Sequence, residues 1–129
     1  MTASTTTFGE HYLVDLHGCD PQVIATVAPT EEALLRAATD CGSTIIEHHF
    51  HQFEPEGASG IILIAESHIS VHTWPENGFV AVDIFTSGTR MKPQVAIDIL
   101  EAAFKAERVD VVCLTRGAIG AERAWSRTG

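Results

Sequence analysis

A chain of 129 residues, 45% hydrophobic and 19% charged, has the size of one domain and enough apolar matter for one core. Its formal charge of −9 excludes the basic stripe that nucleic-acid binding needs; it suits solubility, or a cationic substrate drawn in by an acidic field. Cys19, Cys41 and Cys113 are too scattered for a disulfide framework or a Cys-x-x-Cys zinc site, and without a leader or an apolar run of membrane-spanning length a cytoplasmic protein with buried thiols is expected.

Residues 1–8 form a Thr-rich tail expected to be disordered. Glu10 to Leu16 reads as a first strand, stopped at Gly18, and Asp20-Pro21 starts a turn or a short helical piece. Pro29-Thr30-Glu31-Glu32 has the form of a helix start, with Thr30 as N-cap and acids in the first turn. Leu34, Leu35, Ala37, Ala38 and Cys41 then make an apolar stripe ended by Gly42. A second strand spans Thr44 to Phe53, and a third, short and β-branched, spans Gly60 to Ala65. Pro75-Glu76-Asn77-Gly78 is a turn, followed by an alternating strand from Phe79 to Phe85. Pro93 opens a second helix with Val95, Ala96, Ile99, Leu100, Ala103 and Phe104 on its buried face, and Val109 to Leu114 is the last strand. Residues 115–129 are polar and expected to be loose. Strand, helix, strands, helix, strand predicts an α+β fold: two main helices on one face of a mostly antiparallel sheet, a two-layer sandwich.

The functional signal lies where the third strand should end. Ile61-Ile62-Leu63-Ile64 runs into Glu66-Ser67-His68-Ile69-Ser70-Val71-His72-Thr73-Trp74-Pro75-Glu76. Acid, hydroxyl and imidazole groups at the end of a buried strand cost free energy unless they are hydrogen-bonded, and such a breach of local pattern marks function. The whole string resembles the processing site of the small prokaryotic S-adenosylmethionine decarboxylases, a self-cleaving, pyruvoyl-dependent family. The resemblance extends to Gly9-Glu10-His11, Phe50-His51-Gln52-Phe53, Gly57-Ala58-Ser59-Gly60 and Asp83-Ile84-Phe85-Thr86, and covers about residues 9 to 117. It implies one domain over that span, the two-layer fold, and two protomers with active sites close to their interface.

The resemblance also implies roles. Ser67 would attack the Glu66 carbonyl and turn that amide into an ester; elimination would release residues 1–66 and leave 67–129 capped by a pyruvoyl group. His72 would move protons during processing, and Ser59 would support the carbonyl and ester. The pyruvoyl group would replace pyridoxal phosphate, form a Schiff base with the substrate amine and take up the electrons released with CO2, with no metal required. Phe53 and Glu76 match the aromatic and the acid that bind the nucleoside. The family's proton-donating cysteine is replaced here by Ser87. A thiol titrating at about 8.5 is a workable acid at neutral pH and a serine hydroxyl is far weaker, so another donor, a relay such as His68, or another reaction is implied.

S-adenosylmethionine decarboxylation, supplying the aminopropyl donor for spermidine, is therefore the leading reading. Decarboxylation of L-ornithine or L-arginine is kept open by Ser87 and by Glu54 and Glu56 in a loop near the site. A non-catalytic regulatory paralogue is a further alternative. A metal protein is another, given seven histidines that include His48-His49-x-His51 and His68-x-x-x-His72; against it, His68 and His72 fall on a predicted strand, where a spacing of four does not pair ligands as it does on a helix. A Ser67→Ala chain should stay whole and inactive when its mass is measured under denaturing conditions. An active Ser67→Ala protein would remove the basis for all of these roles.

Overall fold

The computed structural model describes residues 8–117. The chain runs through β1 (Gly9–His17), α1 (Pro21–Ile24), α2 (Val27–Asp40), β2 (Ile45–Gln52), β3 (Ala58–Ile64), β4 (Ser67–Trp74), a 3-10 turn (Pro75–Asn77), β5 (Phe79–Thr86), α3 (Pro93–Phe104) and β6 (Arg108–Arg116). The six strands form one sheet in the order β2-β3-β4-β5-β1-β6, antiparallel at every junction.

Alternation along the strands decides which face is dry. On β4 the residues Ile69, Val71 and Thr73 are buried, and on β5 Val80, Val82 and Ile84. The register sets Ile69 opposite Ile84 and Val71 opposite Val82, while Val82 and Val80 face Val14 and Leu16 of β1. Against this surface α2 lays Leu34, Ala37 and Ala38, and α3 lays Ala96, Ile97, Leu100 and Phe104. Each fully buried Leu, Ile or Phe side chain contributes about 1.5–3 kcal/mol. No described helix covers the opposite face, where Ile61, Leu63 and Trp74 stay more than 40% exposed, at 45%, 42% and 42%.

The sandwich matches the expected fold class, and the details depart from expectation at several points. The α2 helix begins at Val27, with Thr26 in the extended cap position, rather than at Thr30. Pro29 is tolerated because it sits within the first turn, whose N–H groups have no intrahelical partner. The Val27 N–H instead donates to Gln52 Oε1 at 2.8 Å. Thr30 lies inside the helix and is fully buried. Leu35, Val95, Ile99 and Ala103 sit at the core margin, partly buried, while Ile97 lies within it. Thr115 and Arg116 belong to β6 rather than to a loose tail, and Phe8 donates its N–H to Arg116 O at 3.0 Å. The rest of both expected tails, 1–7 and 118–129, lies outside the described residues.

The central string is a hairpin, not the end of a strand. Ile64 pairs with Ser67, so Ala65 and Glu66 form a two-residue turn and β4 begins at Ser67. The turn is anchored to the entry of β2: Ala65 N–H donates to Thr44 O at 2.8 Å and Glu66 Oε1 accepts from Thr44 N–H at 3.2 Å. At the far end of β4, Gly78 takes the left-handed φ of 60° that closes the 3-10 turn. Buried Thr73 joins three elements: its hydroxyl donates to Ile24 O at 2.8 Å and accepts from Ala58 N–H at 2.9 Å. Thr73→Val would leave both groups unpaired at a cost of about 1–3 kcal/mol. A fall of several degrees in melting temperature is expected in the uncleaved Ser67→Ala background; an unchanged melting temperature would contradict this account.

Candidate active site

The Ala65–Glu66 turn lies beside the end of β5, and this contact builds the reactive corner. Ser67 pairs with Thr86, so the next residue, Ser87, reaches the turn. Ser87 gives the Glu66 carbonyl two donors: its N–H at 3.0 Å and its hydroxyl at 2.9 Å. Two donors on one carbonyl oxygen polarise the C=O and are ready for the negative charge that nucleophilic attack would create. Ser67, the residue carrying the neighbouring hydroxyl, has φ 153°, a value that residues with a side chain rarely adopt. Backbone in such a region costs of order 1–3 kcal/mol and persists only where its surroundings hold it. Here the turn contacts to Thr44 and Ser87 do so.

Ser67 Oγ lies 3.4 Å from His68 Nδ1. The His68 ring meets the edge of Phe85, which also faces His11, and the Arg116 guanidinium lies over the Phe85 ring. Asp83 accepts a hydrogen bond from Ser70 at 3.2 Å and lies 3.3 Å from His11 Nε2, in ion-pair range though out of line for a hydrogen bond. Burial pushes His68 below the ordinary histidine value, the charge of His11 adds to this, and Asp83 opposes it. His68 therefore stays neutral at neutral pH, with a free ring nitrogen able to accept a proton.

A second group of predicted residues gathers elsewhere on the same face. Ser59 and His72 are cross-strand partners, with Oγ and Nδ1 2.7 Å apart. They border a cavity of about 320 Å³ with Phe53, Glu56, Trp74 and Glu76. Trp74 is thus part of an open wall, not core, and Glu54 is not among the lining residues. Along β4, Ser67 and His72 are five positions apart, a span of about 16 Å at strand rise. One chain brings Ser67 and Ser87 together, and Ser59, His72, Phe53 and Glu76 together, but holds the two groups apart.

Among the described residues no three His, Cys, Asp or Glu side chains converge as a metal site requires. His48 pairs with Glu31 of α2, while His49 and His51 alternate onto the open face. Burial raises Cys19 to about 11 and shifts Cys41 and Cys113 upward too, so none of these thiols is a ready acid near neutrality. Cys113 is only half-buried, contrary to expectation. The grouping of His11, Asp83 and Phe85 around His68 was missed in the sequence; strand parity in β1 and β5 carried that signal.

The sequence profile of S-adenosylmethionine decarboxylase matches residues 10–117. The chain belongs to that family. The S-adenosylmethionine decarboxylase proenzyme of Thermodesulfovibrio yellowstonii is 41% identical over 111 residues, covering 86% of this chain and 82% of its own length. That of Pyrococcus furiosus is 44% identical over 111 residues, with 86% and 80% covered. The crystal structure of the Aquifex aeolicus adenosylmethionine decarboxylase superposes with a TM-score of 0.82 at 39% identity, over 91% of this chain and 97% of that one. The Trypanosoma brucei enzyme, 18% identical with a TM-score of 0.61 over 81% of this chain and 45% of that one, shares the fold. As a member of the S-adenosylmethionine decarboxylase family, this chain is a pyruvoyl-dependent carboxy-lyase, and a serine beside a polarised, strained peptide fits the origin of such a group. An NMR titration of His68 in the uncleaved Ser67→Ala chain should show its midpoint below 6.5, because burial penalises the imidazolium form. A midpoint at or above that value would contradict the environment described.

Proposed function

We propose that the chain cuts itself between Glu66 and Ser67 and then decarboxylates S-adenosylmethionine. The observation that carries the first part is the Glu66 carbonyl, held by both Ser87 donors next to a strained Ser67. Attack of Ser67 Oγ on that carbonyl moves the acyl group from nitrogen to oxygen, and the two Ser87 donors stabilise the oxyanion formed on the way. Loss of the Ser67 α-proton then expels the Glu66 carboxylate, and water converts the dehydroalanine left behind, through its imine, to the pyruvoyl group on the 67–129 fragment, releasing the Ser67 nitrogen as ammonia. Once formed, that group supplies an electron sink for decarboxylation. On this reading Ser87 retains an oxyanion-stabilising role in maturation, a task a hydroxyl performs well, even though it is a much weaker acid than a thiol. Residues 9–117 then act as one catalytic domain made of two cut pieces.

His72 and Ser59 can serve Ser67 only from a second copy, given the span of about 16 Å between the two groups within one chain. The helix-free face, with Ile61, Leu63 and Trp74 exposed, is the surface two copies would bury, each setting its Ser59–His72 pair and its cavity beside the other's Ser67. In that arrangement Phe53 would stack on the nucleoside base and Glu76 would accept from its ribose, while Glu56 adds a carboxylate that suits a cationic substrate without choosing the sulfonium. The same carboxylates would also suit ornithine or arginine. The names of the relatives favour S-adenosylmethionine.

The test is intact mass after incubation with S-adenosylmethionine, ornithine or arginine in turn and reduction with cyanoborohydride. Two fragments split at Glu66–Ser67, with S-adenosylmethionine adding mass to 67–129, are expected. Ser87→Ala should slow the split by about 10²–10³-fold, and sedimentation should show a dimer. An unsplit wild-type chain, or an adduct from ornithine or arginine alone, would overturn the corresponding part.

A further inference from the structure

Within one chain His72 lies about 16 Å along the strand from Ser67, whereas His68 already stands beside it. We propose that His68 is the catalytic base that takes the Ser67 hydroxyl proton and returns it to the Ser67 nitrogen as the peptide bond breaks. This rests on the reading of Ser67 as the nucleophile of self-cleavage. The geometry behind it is the 3.4 Å approach of Ser67 Oγ to His68 Nδ1, on the residue next to a carbonyl that carries two donors.

The proton count closes. As the Oγ–C bond to Glu66 forms, the Oγ proton passes to Nδ1; as the C–N bond breaks, the same proton passes from Nδ1 to the departing amine. Both acceptor and leaving atoms belong to Ser67, so one ring can reach both, and His68 ends neutral. No oxidant, reductant or second substrate enters. Step and residue are distinct from the later removal of the α-proton, which remains with His72.

The surroundings of His68 fit the task. Phe85 packs against its ring and His11 stands behind Phe85. The titratable and charged groups facing this cluster are His11 from β1, Asp83 from β5 and Arg116 from β6; the cross-strand neighbour on β3 is the apolar Leu63. Asp83, fixed by Ser70 and near His11, is a positioning residue: its charge offsets the effect of His11 on the ring.

The experiment follows cleavage of the full chain made in a cell-free system, with hydroxylamine used to cut any ester while sparing the amide. His68→Asn should slow cleavage by about 10²–10⁴-fold and leave a chain that hydroxylamine does not cut, with added imidazole restoring part of the rate. In the unchanged chain the rate should fall in acid with a midpoint below 6.5, and Asp83→Asn should move that midpoint lower still. These pH data judge the proposal even if His68→Asn misfolds. A His68→Asn chain that cleaves at the unchanged rate or accumulates the hydroxylamine-sensitive ester overturns it, as does an acid midpoint at or above 6.5 in the unchanged chain. An unchanged chain that never cleaves would bring down the self-cleavage reading itself, and this assignment with it.

Discussion

The grip of Ser87 on the Glu66 carbonyl is the contact on which the reactive corner depends. It exists because a two-residue turn between β3 and β4 ends level with the last pair of β4 and β5. The carbonyl that would be attacked is thereby presented to an N–H and a hydroxyl from a third segment. The same turn forces Ser67 to φ 153°. Polarisation and strain are thus two results of one local geometry, and both act on the same peptide bond.

The sheet serves this corner by being one-sided. Helices α2 and α3 close one face over Leu16, Ile69, Val71, Val82 and Ile84 and leave the other to polar and aromatic side chains. On that open face the imidazoles of His11, His68 and His72 alternate with the core residues of the same strands. A two-sided sheet would have had to bury those imidazoles or give them up. The open face also carries the exposed apolar side chains of Ile61, Leu63 and Trp74.

The departure at Ser87 also changes meaning in three dimensions. Judged by acidity alone, serine is a poor substitute for cysteine, which implies another donor, a relay or another reaction. Judged by hydrogen bonding, a hydroxyl is a stronger and shorter-reaching donor than a thiol. The family resemblance links this position to protonation of a carbanion; the fold adds a contact to the peptide before Ser67, where donation rather than acidity is what counts.

Much was determined by the sequence alone. Alternation in Phe79–Phe85, the stripe in α3 and the Pro93 start predict the sandwich because burial on one face imposes a period on any chain. The string around Ser67 breaks the pattern of a buried strand and so marks a functional site, and its resemblance to a family's processing site implies the chemistry. Sequence misplaced the start of α2 at Thr30, since the side chain that takes the Val27 N–H at the true start is Gln52 of β2, 25 residues along the chain. It could not assign a partner to Ser67. His68 and His72 follow it at one and five residues, and only strand rise and pleat decide that the first lies 3.4 Å away while the second points into a separate cavity. Chemical identity is local and legible in order along the chain; proximity between side chains is set by register, which the tertiary structure alone supplies.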